Sequence, residues 1–424
     1  MHSHRTAAGV LAVLAVAVPL RAQQPEQPAP EPPPIRSTLF TGLPARALGP
    51  ATMSGRIAAI DAVPGDRLTI WVGAAGGGVW KSDDGGTRFR SVFDDHTQSI
   101  GAIAVDPSSP DTVWVGTGEA WTRNSVSVGD GVYRTTDGGD TWEHMGLKDS
   151  EHIARIVVDP KDGRTVYVCA LGHLWSTGGQ RGVFRTKDGG KTWDNVLKVD
   201  DKTGCSDLAI DPQEPNILYA GMWQVRRWPW KFVSGGPGSG LYRSRDGGDT
   251  WQELKNGLPE GEKGRIAVAP APSRPSVVYA LVEAKKTALY RSDDLGEHWK
   301  EVNTSTNVQM RPFYFGLVVP DPVDFDRVYK PGLTLSVSTD GGQSFTSPFT
   351  AISGGAVHSD LHALWINPKD PQQLVLGTDG GVYISDDGNL QLTRNGGGSW
   401  TNVVHNVPGV PDGTWVSHVE ASPH

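Results

Sequence analysis

The sequence predicts an all-β fold, a β-propeller of about seven four-stranded blades, from three observations. A motif of the form Ser/Thr-x-Asp-x-Gly, with an aromatic residue five positions after the Asp, occurs six times. Its aspartates are separated by 46 to 58 residues, the range of propeller repeats. The 424 residues include 53 glycines and 15 tryptophans, which favours many short strands joined by tight turns. The six aspartates are Asp84, Asp137, Asp188, Asp246, Asp294 and Asp340.

Each copy of the motif is predicted to be the tip of a β-hairpin. In the second copy, the apolar pair Val132-Tyr133 precedes the motif and Trp142 follows it. Asp side chains accept hydrogen bonds from nearby backbone amides, and Gly accepts positive φ angles. We therefore expect a structural role for the six aspartates. Catalysis or calcium binding is the less favoured alternative, because residues repeated on every blade cannot all face one site.

The chain begins with a predicted secretory signal peptide, residues 1–22. A short basic segment precedes the 14-residue apolar run from Ala7 to Leu20, which is too short to span a membrane. Residues 23–38 form a Pro/Gln-rich linker that we expect to be extended. The mature protein is therefore predicted to be secreted or periplasmic, with no membrane span after signal cleavage.

Residues 39–405 are predicted to form the seven-repeat propeller, with four strands, A to D, in each repeat. In the second repeat these are Ile100–Asp106, Thr112–Gly116, Gly131–Thr135 and Trp142–Met145. The sixth repeat is less regular. The seventh is altered, because its aromatic residue arrives only at Trp400, which predicts a lengthened C–D hairpin.

Both ends of the propeller region carry strand-like segments. Residues 45–49 resemble a D strand that could close the ring against a late blade. Residues 406–424 resemble the opening of an eighth repeat, cut short. We therefore expect the chain to be the front part of a longer, multi-propeller protein.

The predicted topology gives the propeller two different faces. The motif turns join strands C and D on one face, whereas the B–C loops and D–A connections lie on the other, which we call the loop face. The net charge of −8 and the lack of basic blocks argue against nucleic acid as a partner. Trp and Arg in loops on a rigid scaffold are typical of recognition surfaces. The ligand-binding candidates are Trp121, Arg123, Asn124, His173, Trp175, Arg181, Trp223, Arg226, Arg227, Trp228 and Trp230.

These side chains point to a carbohydrate or a protein or peptide ligand, with packing on neighbouring blades as the alternative. For glycoside hydrolysis, two carboxyl groups would be needed at a fixed separation. Glu119, Glu151 and Asp360 are the catalytic candidates, with Asp149 beside them, but the sequence pairs no two of them. His358, Asp360 and His362 are weak metal-ligand candidates, because the two histidines are about 13 Å apart on an extended strand. No cofactor is predicted.

Two further sets of residues leave alternatives open. Arg155, Asp207 and Arg265 share one strand-A position in three repeats, and form either inter-blade ion pairs or a cationic channel mouth for a carboxylate ligand. Cys169 and Cys205 are predicted at the end of one strand B and the start of the next strand A. They form either a disulfide, which an oxidising compartment permits, or two buried thiols.

The repeated motif resembles the Asp-box, or BNR repeat, of sialidases, xyloglucanases and sortilin-like domains. Longer runs, including Ser54–Ile57, Gly116–Glu119 and Ser234–Tyr242, resemble bacterial secreted BNR-repeat proteins related to the sortilin N-terminal domain, often labelled glycosyl hydrolases. The resemblance implies a secreted propeller that acts as a binding or interaction module. A sialidase- or xyloglucanase-like glycoside hydrolase is the alternative. Xyloglucanases place their carboxylate pair between two propellers, and a sialidase would need clustered arginines, for which Arg123, Arg181 and Tyr314 are available.

Overall fold

The computed structural model describes residues 55–124, 126–347, 357–385 and 390–392. The chain divides into two units, 1–49 and 50–424, and every described residue belongs to the second. The predicted signal peptide, linker and eighth repeat lie outside the described residues, as do the strand-like segment 45–49 and Trp400. None of the helices in the described ranges has the length and apolar character needed to cross a membrane.

Twenty-eight strands and one short helix make up this part of the chain, arranged in seven antiparallel sheets. The first sheet contains β1 (Ile57–Ala62), β2 (Ile70–Ala74), β3 (Val79–Ser82) and β4 (Arg90–Ser91). The second contains β5 (Ile100–Val105), β6 (Val113–Thr117), β7 (Val132–Thr135) and β8 (Glu143–Gly146). The third contains β9 (Ile153–Asp159), β10 (Asp162–Ala170), β11 (Gly182–Thr186) and β12 (Asp194–Leu197).

The remaining sheets vary this plan. The fourth contains β13 (Thr203–Ile210), β14 (Leu218–Trp228), β15 (Lys231–Ser234), β16 (Gly240–Ser244) and β17 (Gln252–Leu254). The fifth contains β18 (Ile266–Pro270), β19 (Val278–Val282), β20 (Ala288–Ser292) and β21 (Lys300–Asn303), followed by α1 (Thr306–Gln309). The sixth has β22 (Val319–Pro320), β23 (Val328–Lys330) and β24 (Ser336–Ser338). The seventh has β25 (Leu361–Ile366), β26 (Leu374–Thr378), β27 (Gly381–Ser385) and β28 (Leu390–Leu392).

The seventh sheet differs from the sequence prediction at its last hairpin. A lengthened hairpin, with its fourth strand near Trp400, was expected. The structure instead pairs β28 with β27 in the register Ser385 to Leu390, so only four residues separate the two strands. The sequence pattern failed here because it placed the strand by its aromatic residue rather than by the apolar Leu390 and Leu392.

A glycine in the second strand of a sheet lets the next sheet approach closely. An added Cβ on Gly73 would lie 2.5 Å from a methyl carbon of Ile100, and one on Gly116 would lie 2.4 Å from the same atom of Ile153. A Cβ on Gly377 of the seventh sheet would lie 2.6 Å from Ile57 of the first. The last sheet therefore packs on the first in the way that consecutive sheets pack on each other.

The first strands of all seven sheets line one central channel with a cavity of about 390 Å³. Small and branched apolar residues dominate its wall, including Ala58, Ala102 and Val268. The hydrophobic core lies between adjacent sheets. The cluster around Trp114, for example, joins residues of the second sheet to Ile153 of the third.

The six repeated turns share one set of hydrogen bonds. In the second copy, Thr135 Oγ1 donates to Asp137 Oδ1 at 2.7 Å, and the amide of Gly139 donates to Thr135 Oγ1 at 3.0 Å. The amide of Thr141 donates to Asp137 Oδ1 at 2.9 Å. These bonds lower the pKa of Asp137, with the side-chain bond from Thr141 as the largest cause. The carboxylates therefore organise their own turns, and the aspartates of the other five copies are bonded in the same way.

A disulfide joins the third and fourth sheets. Cys169 in β10 and Cys205 in β13 are bonded, with their Cα atoms 5.0 Å apart. Both are fully buried among apolar residues, including Val183 and Met222. Of the two alternatives left open by the sequence, the structure therefore has the covalent crosslink.

Candidate functional site

The fourth sheet shows how far the motif turns lie from the loop face. The amide of Gly247, in the motif turn, donates to Asn216 O at 2.9 Å, beside the start of β14. The other end of β14, an 11-residue strand that begins at Leu218, is Trp228. At about 3.3 Å per residue, β14 separates its two ends by roughly 33 Å. The Trp- and Arg-rich segment therefore projects away from the motif turns.

A charged cluster lies at the loop-face end of the first, second and seventh sheets. Arg56 forms two hydrogen bonds to Glu119, one of them 2.6 Å from Nη2 to Oε2. Asp379 lies 3.8 Å from Arg56 and 3.8 Å from Arg123. His362 Nε2 lies 3.0 Å from Asp379 Oδ1. Of the sequence candidates for catalysis or metal binding, this cluster contains Glu119, paired with Arg56, and His362, paired with Asp379, whereas His358 Nδ1 bonds the carbonyl of Ser359 instead.

The two carboxyl groups of this cluster shift in opposite directions. Burial raises the pKa of Glu119, although the hydrogen bonds from Arg56 oppose the rise. Burial also acts to raise the pKa of Asp379, but the hydrogen bond with His362 and the charges of Arg56 and Arg123 lower it overall. Both oxygens of Glu119 are occupied by Arg56, and its side chain is 1% exposed. Glu119 is therefore placed to hold sheets together rather than to meet a substrate.

Trp121 closes the loop-face end of the channel. Its Nε1 donates to Ala58 O at 3.0 Å, and its ring packs on His362 with centroids 5.6 Å apart. The guanidinium of Arg265 lies 4.5 Å from the Trp121 ring centroid. Trp121 is buried, as is Trp223, so these two ligand-binding candidates pack inside the protein.

The three strand-A residues do not form a single ion-pair set. Arg155 pairs with Asp207 at 3.0 Å, and Asp207 Oδ2 accepts the amide of Val268 at 3.0 Å. Arg265 donates instead to the carbonyls of Ala120 and Phe313, at 3.2 and 3.0 Å. Burial lowers the pKa of Arg265 to about 10. Arg265 thus anchors the Trp121 loop.

The most exposed aromatic side chain of the loop face is at the tip of a β-hairpin. Strands β14 and β15 pair up to Trp228 and Lys231, leaving a two-residue turn. Trp230 in that turn is 81% exposed. Arg226 stacks over Trp228, 4.9 Å from its ring centroid. The hairpin thus presents an aromatic side chain to solvent beside a cation.

The hairpin is supported by three other parts of the chain. Arg227 hydrogen-bonds Asn124, and its amide donates to Leu174 O at 2.9 Å. Phe232 packs on Phe313 with centroids 5.0 Å apart. The tip therefore stands on a rigid base formed by loops of the second and third sheets and by the segment that follows α1.

The long loop of the third sheet is built around Arg181. This side chain is 1% exposed and donates to the carbonyls of Gly178 and His173, at 2.7 and 2.9 Å. Arg181 is therefore structural and does not join Arg123 and Tyr314, which lie 3.5 Å apart. Trp175, in the same loop, is 38% exposed.

Carboxyl groups meet a histidine beside this loop. His173 Nε2 lies 2.8 Å from Asp149 Oδ1 and 3.6 Å from Glu151 Oε1. Asp360 has a positive φ of 62° at the start of β25 and is not brought to this histidine. Within the described ranges, no three His, Cys, Asp or Glu side chains have an arrangement that could hold a metal ion. The sequence analysis did not single out Arg56 and Asp379 as site residues. Arg56 lies within the resembling run Ser54–Ile57, whereas Asp379 has only the appearance of a turn residue before Gly380.

Residues 130–258 match the family model described as "Sortilin, neurotensin receptor 3". The protein contains a sortilin-like propeller related to glycosyl hydrolases. The chain is 28% identical over 214 residues to a xyloglucanase of Paenibacillus sp, covering 45% of this chain and 20% of that protein. It is 24% identical over 399 residues to the oligoxyloglucan-reducing end-specific xyloglucanase of Emericella nidulans, covering 86% of this chain and 42% of that protein. The chain thus spans less than half the length of these relatives.

Solved structures support the same fold. The GH74 xyloglucanase from Xanthomonas campestris has a TM-score of 0.56 at 20% identity, covering 78% of this chain and 52% of that chain. The structure of YCF48 bound to D1 peptide has a TM-score of 0.51 at 17% identity, covering 78% of this chain and 94% of that chain. At these identities the likeness shows the propeller fold alone.

Proposed function

We propose that this protein is a secreted β-propeller binding module that recognises a carbohydrate chain at its loop face. The observation that carries the proposal is Trp230, which is 81% exposed at the tip of a supported hairpin. Leaving a Trp side chain in water forfeits about 2–3 kcal/mol of burial. A rigid indole is well suited to stack on the apolar face of a sugar ring, and exposed Trp is enriched at binding hot spots.

Trp175 extends the same surface, because its loop carries the carbonyl of Leu174 that bonds the hairpin. Arg226 and Arg227 flank the aromatic residues and offer guanidinium donors to hydroxyl groups. The names of the xyloglucanase relatives support a carbohydrate over a peptide as the ligand. The peptide named in the YCF48 structure supports the protein-ligand alternative.

The scaffold for this site is proposed to be a closed ring of seven blades within residues 39–405. Its support is the channel lined by strands of all seven sheets and the repeated Gly–Ile contact that ends with Gly377 on Ile57. Secretion or export to the periplasm rests on the signal-like residues 1–22.

Isothermal titration calorimetry with xyloglucan oligosaccharides would test the binding proposal. Trp230→Ala and Trp175→Ala are expected to weaken binding at least about 10-fold each, or about 1.4 kcal/mol. Leu68→Ala is the matched control, because Leu68 is 53% exposed and its carbonyl accepts the amide of Gly85 in the first motif turn. Equal affinities for the Trp230→Ala and Leu68→Ala variants would refute the proposed surface, and binding of peptides alone would favour the protein-ligand alternative.

Glycoside hydrolysis is the second candidate. The observation that favours it is that Asp149 and Glu151, whose side chains are 65% and 29% exposed, both lie against His173. Two exposed carboxyl groups near one another are the minimum that this chemistry requires. Release of reducing ends from xyloglucan, lost in Glu151→Gln, would support it. Absence of release by the full chain would leave binding as the function.

A further inference from the structure

The loop between β10 and β11 and the connection before β9 together place a serine, a histidine and an aspartate in a line. Ser176 Oγ lies 2.8 Å from His173 Nδ1, and His173 Nε2 lies 2.8 Å from Asp149 Oδ1. Ser176 is exposed, whereas the His173 side chain is only 20% exposed. A nucleophile, a base and an orienting carboxylate within hydrogen-bond reach are the arrangement used for nucleophilic catalysis by serine.

The carboxylate fixes the direction of both hydrogen bonds. An ionised Asp accepts hydrogen bonds and cannot donate them, so His173 Nε2 carries the hydrogen that faces Asp149. In neutral imidazole the other ring nitrogen then has a free lone pair. His173 Nδ1 is therefore the acceptor, and the Ser176 hydroxyl donates to it. This is the polarity that a general base requires.

The surrounding loop holds this geometry in place. Buried Arg181 donates to the carbonyl of His173 at 2.9 Å. The amide of Gln180 donates to Asp149 O at 2.9 Å, while the Gln180 side chain accepts the amide of Asp149 at 3.0 Å. A Cβ on Gly179, which has a φ of +75°, would lie 2.6 Å from the His173 ring. The imidazole thus rests against a position that glycine leaves free.

We propose that Ser176 is a nucleophile that hydrolyses carboxylic esters, with His173 as its general acid and base and Asp149 as a positioning residue. Ser176 Oγ bonds to the acyl carbon while its proton passes to His173 Nδ1. The bond from the acyl carbon to the alcohol oxygen breaks, and the alcohol leaves with that proton. Water then attacks the acyl-serine and gives a proton to Nδ1, which returns it to Ser176 Oγ as the carboxylic acid departs.

The exposure of Ser176 and of its neighbour Trp175 suits an ester that protrudes from a larger molecule. We infer a small acyl group, such as acetate, on an alcohol too large to enter a closed pocket. The two activities can be tested separately, because ester hydrolysis is assigned to Ser176, His173 and Asp149, whereas glycan binding is assigned to Trp230 and Trp175.

Two measurements on the full chain test the proposal. A fluorophosphonate probe, located by peptide mass spectrometry, is expected to label Ser176. Protein-dependent hydrolysis of p-nitrophenyl acetate is expected to fall about 100-fold or more in both Ser176→Ala and His173→Gln. Ser109→Ala is the control, since Ser109 is an exposed serine whose hydroxyl contacts Thr112 rather than a histidine, and its rate should stay at the wild-type value.

Asp149→Asn separates positioning from structure. An Asn amide can donate to Nε2, so this variant is expected to populate the Nδ1–H form of His173, which imidazole ¹⁵N shifts report, and to lose most of the hydrolysis. Unchanged hydrolysis in Ser176→Ala, or labelling at a residue other than Ser176, would overturn the proposal whether or not glycans bind.

Discussion

Replacing Glu119 with Gln should destabilise the propeller far more than its small change in shape suggests. Glu119 follows β6 of the second sheet, and Arg56 immediately precedes β1 of the first. Their side chains are 1% and 11% exposed and share two hydrogen bonds. The substitution removes the charge but keeps the volume, so it leaves the buried Arg56 guanidinium with an uncharged partner.

The size of the effect follows from the charges that remain. Breaking a buried ion pair by removing one partner costs about 3–5 kcal/mol, because the other charge stays buried and uncompensated. Asp379, 3.8 Å from Arg56, retains part of the compensation, so we expect a loss of about 3 kcal/mol. Burial raises the pKa of Glu119 despite Arg56, which indicates a large desolvation cost for the Glu119 carboxylate, whereas the pKa of Arg56 is raised by its interactions with Glu119 despite its burial. Replacing both residues with Leu should therefore cost less than Glu119→Gln alone.

Urea denaturation at pH 7 would measure these differences in the free energy of unfolding. Glu301→Gln is the matched control, because Glu301 pairs with Lys286 at 2.7 Å where the side chains are 42% and 60% exposed. Exposed pairs contribute about 0–1 kcal/mol, so the control should change little. A Glu119→Gln variant as stable as the control would refute the view that this pair clamps the first and second sheets.

Two further predictions concern buried groups elsewhere. Burial lowers the pKa of His152 to about 4, so between pH 6.5 and 4 the unfolded chain binds a proton that the folded chain does not. The free energy of unfolding should therefore fall by roughly 3 kcal/mol as pH drops through this window. In a His152→Phe variant, urea denaturation should show a smaller dependence of the unfolding free energy on pH in the same window. The double variant Cys169→Ala/Cys205→Ala should have a free energy of unfolding lower by about 3–4 kcal/mol, which is the chain-entropy value for a crosslink across 36 residues. Alkylation of both cysteines in non-reduced wild-type protein would contradict the disulfide.

The parts of the fold that the sequence predicted are those set by local interactions. A motif turn is closed by bonds between residues two to four positions apart, such as Thr135, Asp137 and Gly139. Since these bonds need no distant partner, the same short pattern produces the same turn six times. The order of strands within a sheet follows as readily, because consecutive strands pair through short connections.

The candidate site was harder to predict because its contacts join distant repeats. Trp121 and Arg181 are of the residue types that are typical of recognition loops. In the structure, however, Trp121 contacts Ala58 and His362, and Arg181 donates to carbonyl groups of its own loop. Whether a loop side chain is buried depends on which neighbouring loops pack against it, and the length of the loop alone does not predict that. Trp230, one of the ligand-binding candidates from the sequence, is exposed as expected, and it lies in a two-residue turn between paired strands.

The contacts that hold the sheets together can be distinguished from those that shape the loops. In the scaffold, a glycine of one sheet packs against an isoleucine of the next at several junctions, such as Gly73 with Ile100 and Gly377 with Ile57. Each such contact fixes the spacing of two neighbouring sheets at that point. The tip of the β14–β15 hairpin and the loop that holds His173 take no part in these Gly–Ile contacts. Their side chains can therefore change without altering the sheet spacing, which is why the repeats predict the fold but do not predict what these two loops do.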